Sequence, residues 1–386
     1  MSKPLFIEIK GVQFRNKGAY LMLLATLQGL RDLDQPFQLV LSPGPNLPYL
    51  ERAKLGAWQK LSFRRNGIDL TPWFGKFPTA LRQFCKRYGL VTEADVDVVL
   101  EASGFAYGDQ WPLPFLQNTA REVVRYHKAG KPFIFMPQAF GPFTTPASRQ
   151  AMADIIKHAT AIFVRDEISL AHLRQCQPNL PAHVQRAVDF TIGLKVAAAA
   201  QPTSRYAVLI PNHKVISKSN SAEASRLYQN YLDAFAKAAD HLTQQGLAVV
   251  LVNHEGVEDA ELCEKIAAIA ACSIVQIEDP FALKQFIGQA ELVISSRFHG
   301  AINALSQGVP CIATSWSHKY QQMMADFGVG DYCIEQLTAE VLIAKIAQLQ
   351  AERAVILPEI IKNSARLAQQ NSDMWQQLAL VLAKTS

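Results

Sequence analysis

Glu291-Leu292-Val293-Ile294-Ser295-Ser296-Arg297-Phe298-His299-Gly300 is a short apolar run that breaks into hydroxyl, cationic and small residues. Residues 309–314 repeat the pattern ahead of Ser315-Trp316-Ser317-His318-Lys319. Two such strand-like segments joined by a helical stretch, about 300–307, form a βαβ unit. In a parallel sheet their C-terminal ends lie side by side, on the edge where open α/β sheets bind ligands. Arg297, His299 and Lys319 are therefore expected to converge on one small anion. Arg offers a planar fork for carboxylate or phosphate, Lys a compact charge, and the small residues let helix N-terminal N–H groups approach. His299 is the one member of the trio that exchanges a proton near neutral pH. The competing reading is that Ser295 and Ser296 cap the helix while Arg297 is solvated.

Outward from this stretch, short apolar runs alternate with longer amphipathic segments, the pattern of stacked βαβ units around parallel sheets. Strands are predicted over residues 5–9, 38–41, 96–101, 132–136 and 161–164, with a Leu- and Ala-rich helix over 17–30. Residues 42–89 are irregular, rich in Pro, Gly, aromatic and basic side chains, and are expected to form a flap facing an acceptor. Ala197 to Ala200 and Gln201-Pro202-Thr203-Ser204 read as a linker. Beyond it come strands over 206–210, 248–252 and 274–277, helices near 222–244 and 259–271, and then the two segments already quoted. A helical stretch over 357–384 closes the chain. The expected fold is α/β, with two Rossmann-like doubly wound domains and an inter-domain cleft.

With 386 residues, 49% of them hydrophobic, the chain can bury two cores. Its net charge of +5 is too slight and dispersed for nucleic acid, since no block of consecutive Lys or Arg exceeds two. A mildly basic surface does suit acidic substrates or a peripheral contact with an anionic membrane face. The six cysteines show no Cys-x-x-Cys pair and no metal spacing, which suits reduced core thiols. No run approaches the length of a spanning helix and the start reads as a strand, so a soluble cytoplasmic protein is expected, with room for contact at the inner face of the membrane.

The quoted motif, with Gly308-Val309-Pro310 and the later Ser317-His318-Lys319, resembles the polysaccharide pyruvyl transferase family in residue type and spacing. Further matches are Gln138-Ala139-Phe140-Gly141-Pro142, Val164-Arg165-Asp166-Glu167-Ile168-Ser169 and Asn16-Lys17-Gly18. They run in family order over roughly residues 5–330. Two positions depart from the family pattern: Ala19, where an acidic residue is frequent, and Glu101-Ala102-Ser103-Gly104, where glycines commonly follow the third strand. The resemblance implies a glycosyltransferase-B-like fold: an acceptor-binding domain over 1–195, a donor-binding domain over 205–356, and a C-terminal helix, 357–386, that packs back on the first. It also implies transfer of the enolpyruvyl group of phosphoenolpyruvate to a sugar, closed as a cyclic ketal.

On that reading Arg297 takes the carboxylate or phosphate of the donor, and Lys319, Ser295, Ser296, Gly300, Ser317 and Asn212 hold the rest. His299 serves as general acid or, alternatively, holds the phosphate. The base stays open between His254 with Glu255 and Asn212 with His213, each pair following a strand. Asn16, Lys17, Gly18, Gln138 and Asp189 are the acceptor-side candidates. Asp189 reads equally as an ion pair or cap, Arg165 and Asp166 as helix-orienting residues, and Gln138 and Gly141 as turn formers. Asp95-Val96-Asp97 invites a metal but reads better as a strand entrance, and Trp111, Tyr107 and Phe105 form either a sugar platform or core. No metal and no cofactor are expected beyond phosphoenolpyruvate as co-substrate. The partner is a sugar, an oligosaccharide or a lipid-linked glycan. The rivals are a nucleotide-sugar-dependent glycosyltransferase, weakened by the lack after residue 200 of two glutamates with seven residues between them, and a non-catalytic ligand-binding relative.

Overall fold

The computed structural model describes residues 3–65, 68–197, 202–215, 222–314 and 318–385, and divides them into two compact units. Ser315, Trp316, Ser317 and part of the 197–204 linker lie outside the described residues.

Unit 1 comprises residues 1–14, 22–190 and 370–386. Its elements are β1 (Leu5–Lys10), α1 (Lys17–Asp32), β2 (Phe37–Leu41), α2 (Tyr49–Lys54), β3 (Trp58–Lys60), a small hairpin of β4 (Arg64–Arg65) and β5 (Ile68–Asp69), α3 (Thr71–Phe74), α4 (Thr79–Lys86) and β6 (Leu90–Val91). They continue with β7 (Val98–Glu101), α5 (Leu113–Lys128), β8 (Phe133–Gln138), α6 (Pro146–His158), β9 (Ala161–Val164), α7 (Glu167–Cys176) and β10 (Val184–Arg186). Eight strands pair in parallel in the order β10-β9-β8-β7-β1-β2-β3-β6. The direction of strand addition therefore reverses between β1 and β7. Central strands such as Val98-Val99-Leu100 are buried on both faces, which is why they read as unbroken apolar runs. α5 and α6 cover one face through Leu116, Val123, Tyr126, Met152 and Ile155, packed on Phe133 and Phe135. Tyr107 stacks on Phe115 and Phe140 at ring separations of 5.6 and 6.2 Å, so this aromatic belongs to the core and not to an open sugar platform.

Helix starts follow local capping chemistry. Thr145 accepts the Ser148 N–H ahead of Pro146 in α6, and Asp166 accepts the Ser169 N–H at the start of α7.

Unit 2 comprises residues 15–21 and 191–369. Its elements are β11 (Tyr206–Ile210), α8 (Ala222–Gln244), β12 (Ala248–Val252), α9 (Gly256–Ala267), β13 (Ser273–Val275), α10 (Pro280–Gly288), β14 (Leu292–Ser295), α11 (Phe298–Leu305), β15 (Cys311–Thr314), α12 (His318–Asp326), β16 (Cys333–Ile334) and α13 (Ala339–Ala383). The six-stranded sheet is again parallel, in the order β13-β12-β11-β14-β15-β16, and reverses between β11 and β14. α13 starts at Ala339, well before the residue 357 expected from its pattern, and runs through Pro358. Its last turns, from Gln370, group with unit 1, where a Cβ on Gly29 would lie 2.2 Å from the Trp375 ring.

Unit 1 also encloses a charge network. Lys60 Nζ lies 2.6 Å from Glu8 and 3.3 Å from Glu122, all three side chains are buried, and Lys10 pairs with the same Glu122. Burial alone would lower the Lys60 pKa, but Glu8, Tyr126 and Glu122 hold it well above the ordinary value. Replacing Lys60 by Met leaves Glu8 buried without its cation and Glu122 with Lys10 alone, and is expected to cost about 3–5 kcal/mol in urea unfolding; a loss under ~1 kcal/mol would show that the network contributes little.

Candidate functional site

Both reversals of strand order create crevices beyond the C-terminal strand ends, the usual place for a ligand in an open α/β sheet. In unit 2 the residues after β11, β12 and β14 adjoin there: Asn212, then Asn253 to Glu255, then Ser296 to His299.

Arg297 is the centre of this cluster, but its fork is not open as expected. Nε donates to Asp259 Oδ2 at 2.9 Å, Nη2 meets both Asp259 oxygens at 2.6 Å, and Nη1 pairs with Glu255. Asp259 is fully buried in the first turn of α9, where the helix dipole favours an anion, and it also accepts the backbone N–H groups of His213 and Glu255. A buried carboxylate needs a compensating cation, and Arg297 supplies it. Burial lowers the guanidinium pKa, and the two carboxylates more than restore it. Arg297 thus fixes the crevice wall instead of grasping a ligand bidentately.

Glu255, in turn, sits in a ring of donors. Besides Arg297 it receives Lys214 Nζ at 3.0 Å and Asn16 Nδ2 at 2.7 Å. Burial raises its carboxyl pKa, yet Arg297, Lys214 and Asn16 bring it below the ordinary range.

The Asn16 contact corrects an expectation. The resemblance puts Asn16, Lys17 and Gly18 in the acceptor domain, whereas the start of α1 belongs to unit 2. Asn16 caps α1 by accepting the Ala19 N–H, Lys17 Nζ donates to the Asn253 carbonyl at 2.9 Å, and a Cβ on Gly18 would lie 2.3 Å from His299 Nδ1. Glycine at 18 is therefore a requirement of close packing on the imidazole. Burial lowers the Lys17 pKa despite the acidic groups nearby.

His254 is buried beside this cluster. Desolvation, then the charges of Arg297, His299 and Lys17, push its pKa well below the ordinary value, so the ring is neutral at pH 7. His299 is half-buried and meets the Phe298 ring edge-on at 5.6 Å. Lys319 Nζ sits over the rings of Phe298 and Tyr320 at 5.4 and 5.6 Å.

Four expected donor-binding residues turn out to brace the crevice. Ser295 Oγ closes a turn by donating to the Arg297 carbonyl and accepting its N–H. Ser296 Oγ is shared between Tyr231 and Thr314, while its carbonyl accepts from Asn212 Nδ2 and Tyr320. Asn212 Oδ1 accepts the Lys214 N–H. A Cβ on Gly300 would lie 2.5 Å from Ser295 Oγ. Their polar atoms are consumed because a buried strand end must satisfy its own hydrogen bonds. Ser317 lies outside the described residues.

The unit 1 reversal holds a different group. Glu101, the last residue of β7, is buried; its Oε2 accepts from Gln138 Nε2 at 2.7 Å and Ser103 Oγ at 3.0 Å. Burial pushes its pKa up to about 7, with the Gln138 and Ser103 bonds and the Lys10 charge holding it from going higher. Gln138 is thus the partner of a carboxyl and is itself fully buried. Sequence reasoning met Glu101 only as a departure from a glycine pattern. Asp189 pairs with Arg165 at 2.8 Å, the ion-pair alternative, and Asp166 caps α7. Asp95 and Asp97 accept turn and strand N–H groups from Thr92 and Phe6. Among the described residues no three His, Cys, Asp or Glu side chains are grouped to hold a metal ion, and no helix is long and apolar enough to cross a membrane.

A sequence profile of the polysaccharide pyruvyl transferases matches residues 16–318, most of the chain and both crevices. The chain belongs to this family. The amylovoran biosynthesis protein AmsJ of Erwinia amylovora is 21% identical over 302 residues, covering 70% of this chain and 68% of AmsJ. Among solved structures, the UDP-GlcNAc 2-epimerase of Neisseria meningitidis bound to UDP-GlcNAc superposes with a TM-score of 0.59 at 11% identity, over 98% of this chain and 99% of that one. A glycosyltransferase of Rickettsia africae superposes at 0.55 and 11%, over 100% and 99%. These likenesses establish a glycosyltransferase-B-like fold for this pyruvyl transferase family member, and no more.

Removing the carboxylate of Asp259 (Asp259→Ala) leaves the Arg297 charge buried with Glu255 alone and is expected to cost about 3–5 kcal/mol by denaturant unfolding; a neutral result would mean that Arg297 does not depend on Asp259. Because the folded pKa of Glu101 lies above its unfolded value, the carboxyl's contribution is fully present below about pH 4.5 and is lost as pH rises to about 7. Relative to Glu101→Gln, the wild type is expected to lose about 3 kcal/mol between those limits. Parallel pH–stability curves would refute that.

Proposed function

We propose that this family member transfers the enolpyruvyl group of phosphoenolpyruvate to a sugar of a cell-surface polysaccharide, or of its lipid-linked precursor, on the cytoplasmic side. The reading is carried by one observation: in a polysaccharide pyruvyl transferase, the unit 2 crevice gathers His299, Lys319, Lys17, Lys214 and Arg297 around the N-terminus of α11. Phosphoenolpyruvate carries a carboxylate and a phosphate on one small skeleton, and such anions bond most strongly to charged donors.

In the proposed chemistry His299 delivers a proton to the methylene carbon, and a sugar hydroxyl adds to the adjacent carbon. The proton of that hydroxyl passes to a base, for which neutral His254 has the right protonation state. Phosphate then leaves with the C–O bond electrons, stabilised by Lys319 and the α11 amides, and a second hydroxyl of the same sugar closes the ketal, giving its proton to the His299 ring that the first step left deprotonated. Arg297 acts as a positioning residue that holds the β14 loop against α9. No metal or further cofactor enters this scheme. The amylovoran biosynthesis role of AmsJ and the family match support a glycan acceptor.

The test is incubation with phosphoenolpyruvate and a panel of methyl glycosides, reading released phosphate and the ketal methyl resonance. Equal amounts of both are expected, and His299→Ala is expected to lower the rate by roughly a hundredfold or more with its melting temperature preserved. Full activity of the variant would remove His299 from the mechanism, and turnover of UDP-sugars without any from phosphoenolpyruvate would replace the reaction altogether.

A further inference from the structure

The 42–89 region of unit 1 contains a helix mounted with its apolar side outward. α4 has no buried residue. Its cations point inward: Arg82 and Lys86, one turn apart, reach Asp95 at 3.0 and 2.9 Å, and Lys86 lies over the ring of Phe6 in β1. Leu81 and Phe84, on another face and continued by Tyr88, are 41, 51 and 68% exposed. A surface helix of a soluble domain ordinarily turns such residues toward the core. Just before it, Trp73 is 64% exposed with Lys76 Nζ 4.8 Å over its ring, and Lys76 and Arg87 are both exposed.

The sequence around this helix is equally one-sided in charge, although two of its cations, Arg52 and Lys60, are buried. Residues 49–88 hold nine Lys or Arg against two Asp or Glu, although the whole chain holds 38 against 33. Asp95 neutralises part of that excess on the inner side of α4, and the outer side keeps Lys76 and Arg87 beside the aromatics. Tryptophan and tyrosine with flanking cations is the composition that settles at a lipid–water boundary, with the rings among acyl chains and the charges on anionic headgroups.

We propose that α4, with the Trp73–Lys76 turn before it and Arg87-Tyr88 after it, docks unit 1 on an anionic bilayer surface. This goes beyond the transfer reaction and stands independently of it. It replaces the expectation of a flap facing the acceptor with a lipid-facing platform, and turns the general expectation of membrane contact into an assigned surface.

The experiment uses the full chain and flotation with vesicles of phosphatidylcholine alone or with about one-third phosphatidylglycerol. Binding is expected to the phosphatidylglycerol vesicles and to weaken as salt screens the headgroups. Trp73→Gln with Phe84→Gln is expected to weaken it roughly tenfold or more, and Lys76→Gln or Arg87→Gln roughly fivefold each. Melting temperatures should not change, because these side chains are exposed. No binding to phosphatidylglycerol vesicles, or binding that these variants leave unaltered, would overturn the proposal. So would a solution dimer that Phe84→Gln dissociates, which would assign the face to a second copy of the chain.

Discussion

The bond between the Arg297 guanidinium and the buried Asp259 carboxylate organises everything else at the unit 2 crevice. It ties the loop after β14 to the start of α9, and it leaves one further donor edge for Glu255. Glu255 then draws in Asn16 and Lys214, so the first turn of α1 is held where Gly18 meets His299. Remove the guanidinium and Asp259 is left buried without its cation, while Glu255 keeps only Lys214 and Asn16. The residue that looked like a ligand clamp is the keystone of the clamp's frame.

That arrangement divides the site by task. Buried hydroxyls and amides of Ser295, Ser296 and Asn212 spend their hydrogen bonds on one another and on backbone, which makes a rigid rim. In the proposed reaction the chemistry falls to side chains around the rim: His299, Lys319, and the neutral ring of His254. The unit 1 crevice carries its own poised group in Glu101, whose burial brings a carboxyl into the neutral range. Two reversals of strand order thus give one cationic crevice and one protonatable crevice, each within its own sheet.

The strands with both faces buried were legible from sequence because nothing interrupts their apolar runs: residues 161–164, 206–210 and 248–252 were read to the residue. Short outer strands were not. Trp58–Lys60 looks like a polar surface segment until Glu8 and Glu122, far away in sequence, supply counter-charges for Lys60. The early part of α13 went unread because Pro358 interrupts an otherwise helical pattern. At the site, the motif after β14 was visible as a cluster of cationic and small residues. Its dependence on Asp259, 38 residues upstream, and on the start of α1 was invisible, since pairing across sequence leaves no local periodicity.

The most direct test of the cationic crevice as a phosphoenolpyruvate site is side-chain NMR of the histidine rings during titration at pH 7. The free protein should show His254 as a neutral imidazole, and phosphoenolpyruvate should shift the His299 and His254 nitrogen resonances saturably while UDP-GlcNAc leaves them in place. Resonances that move with UDP-GlcNAc and ignore phosphoenolpyruvate would contradict the account.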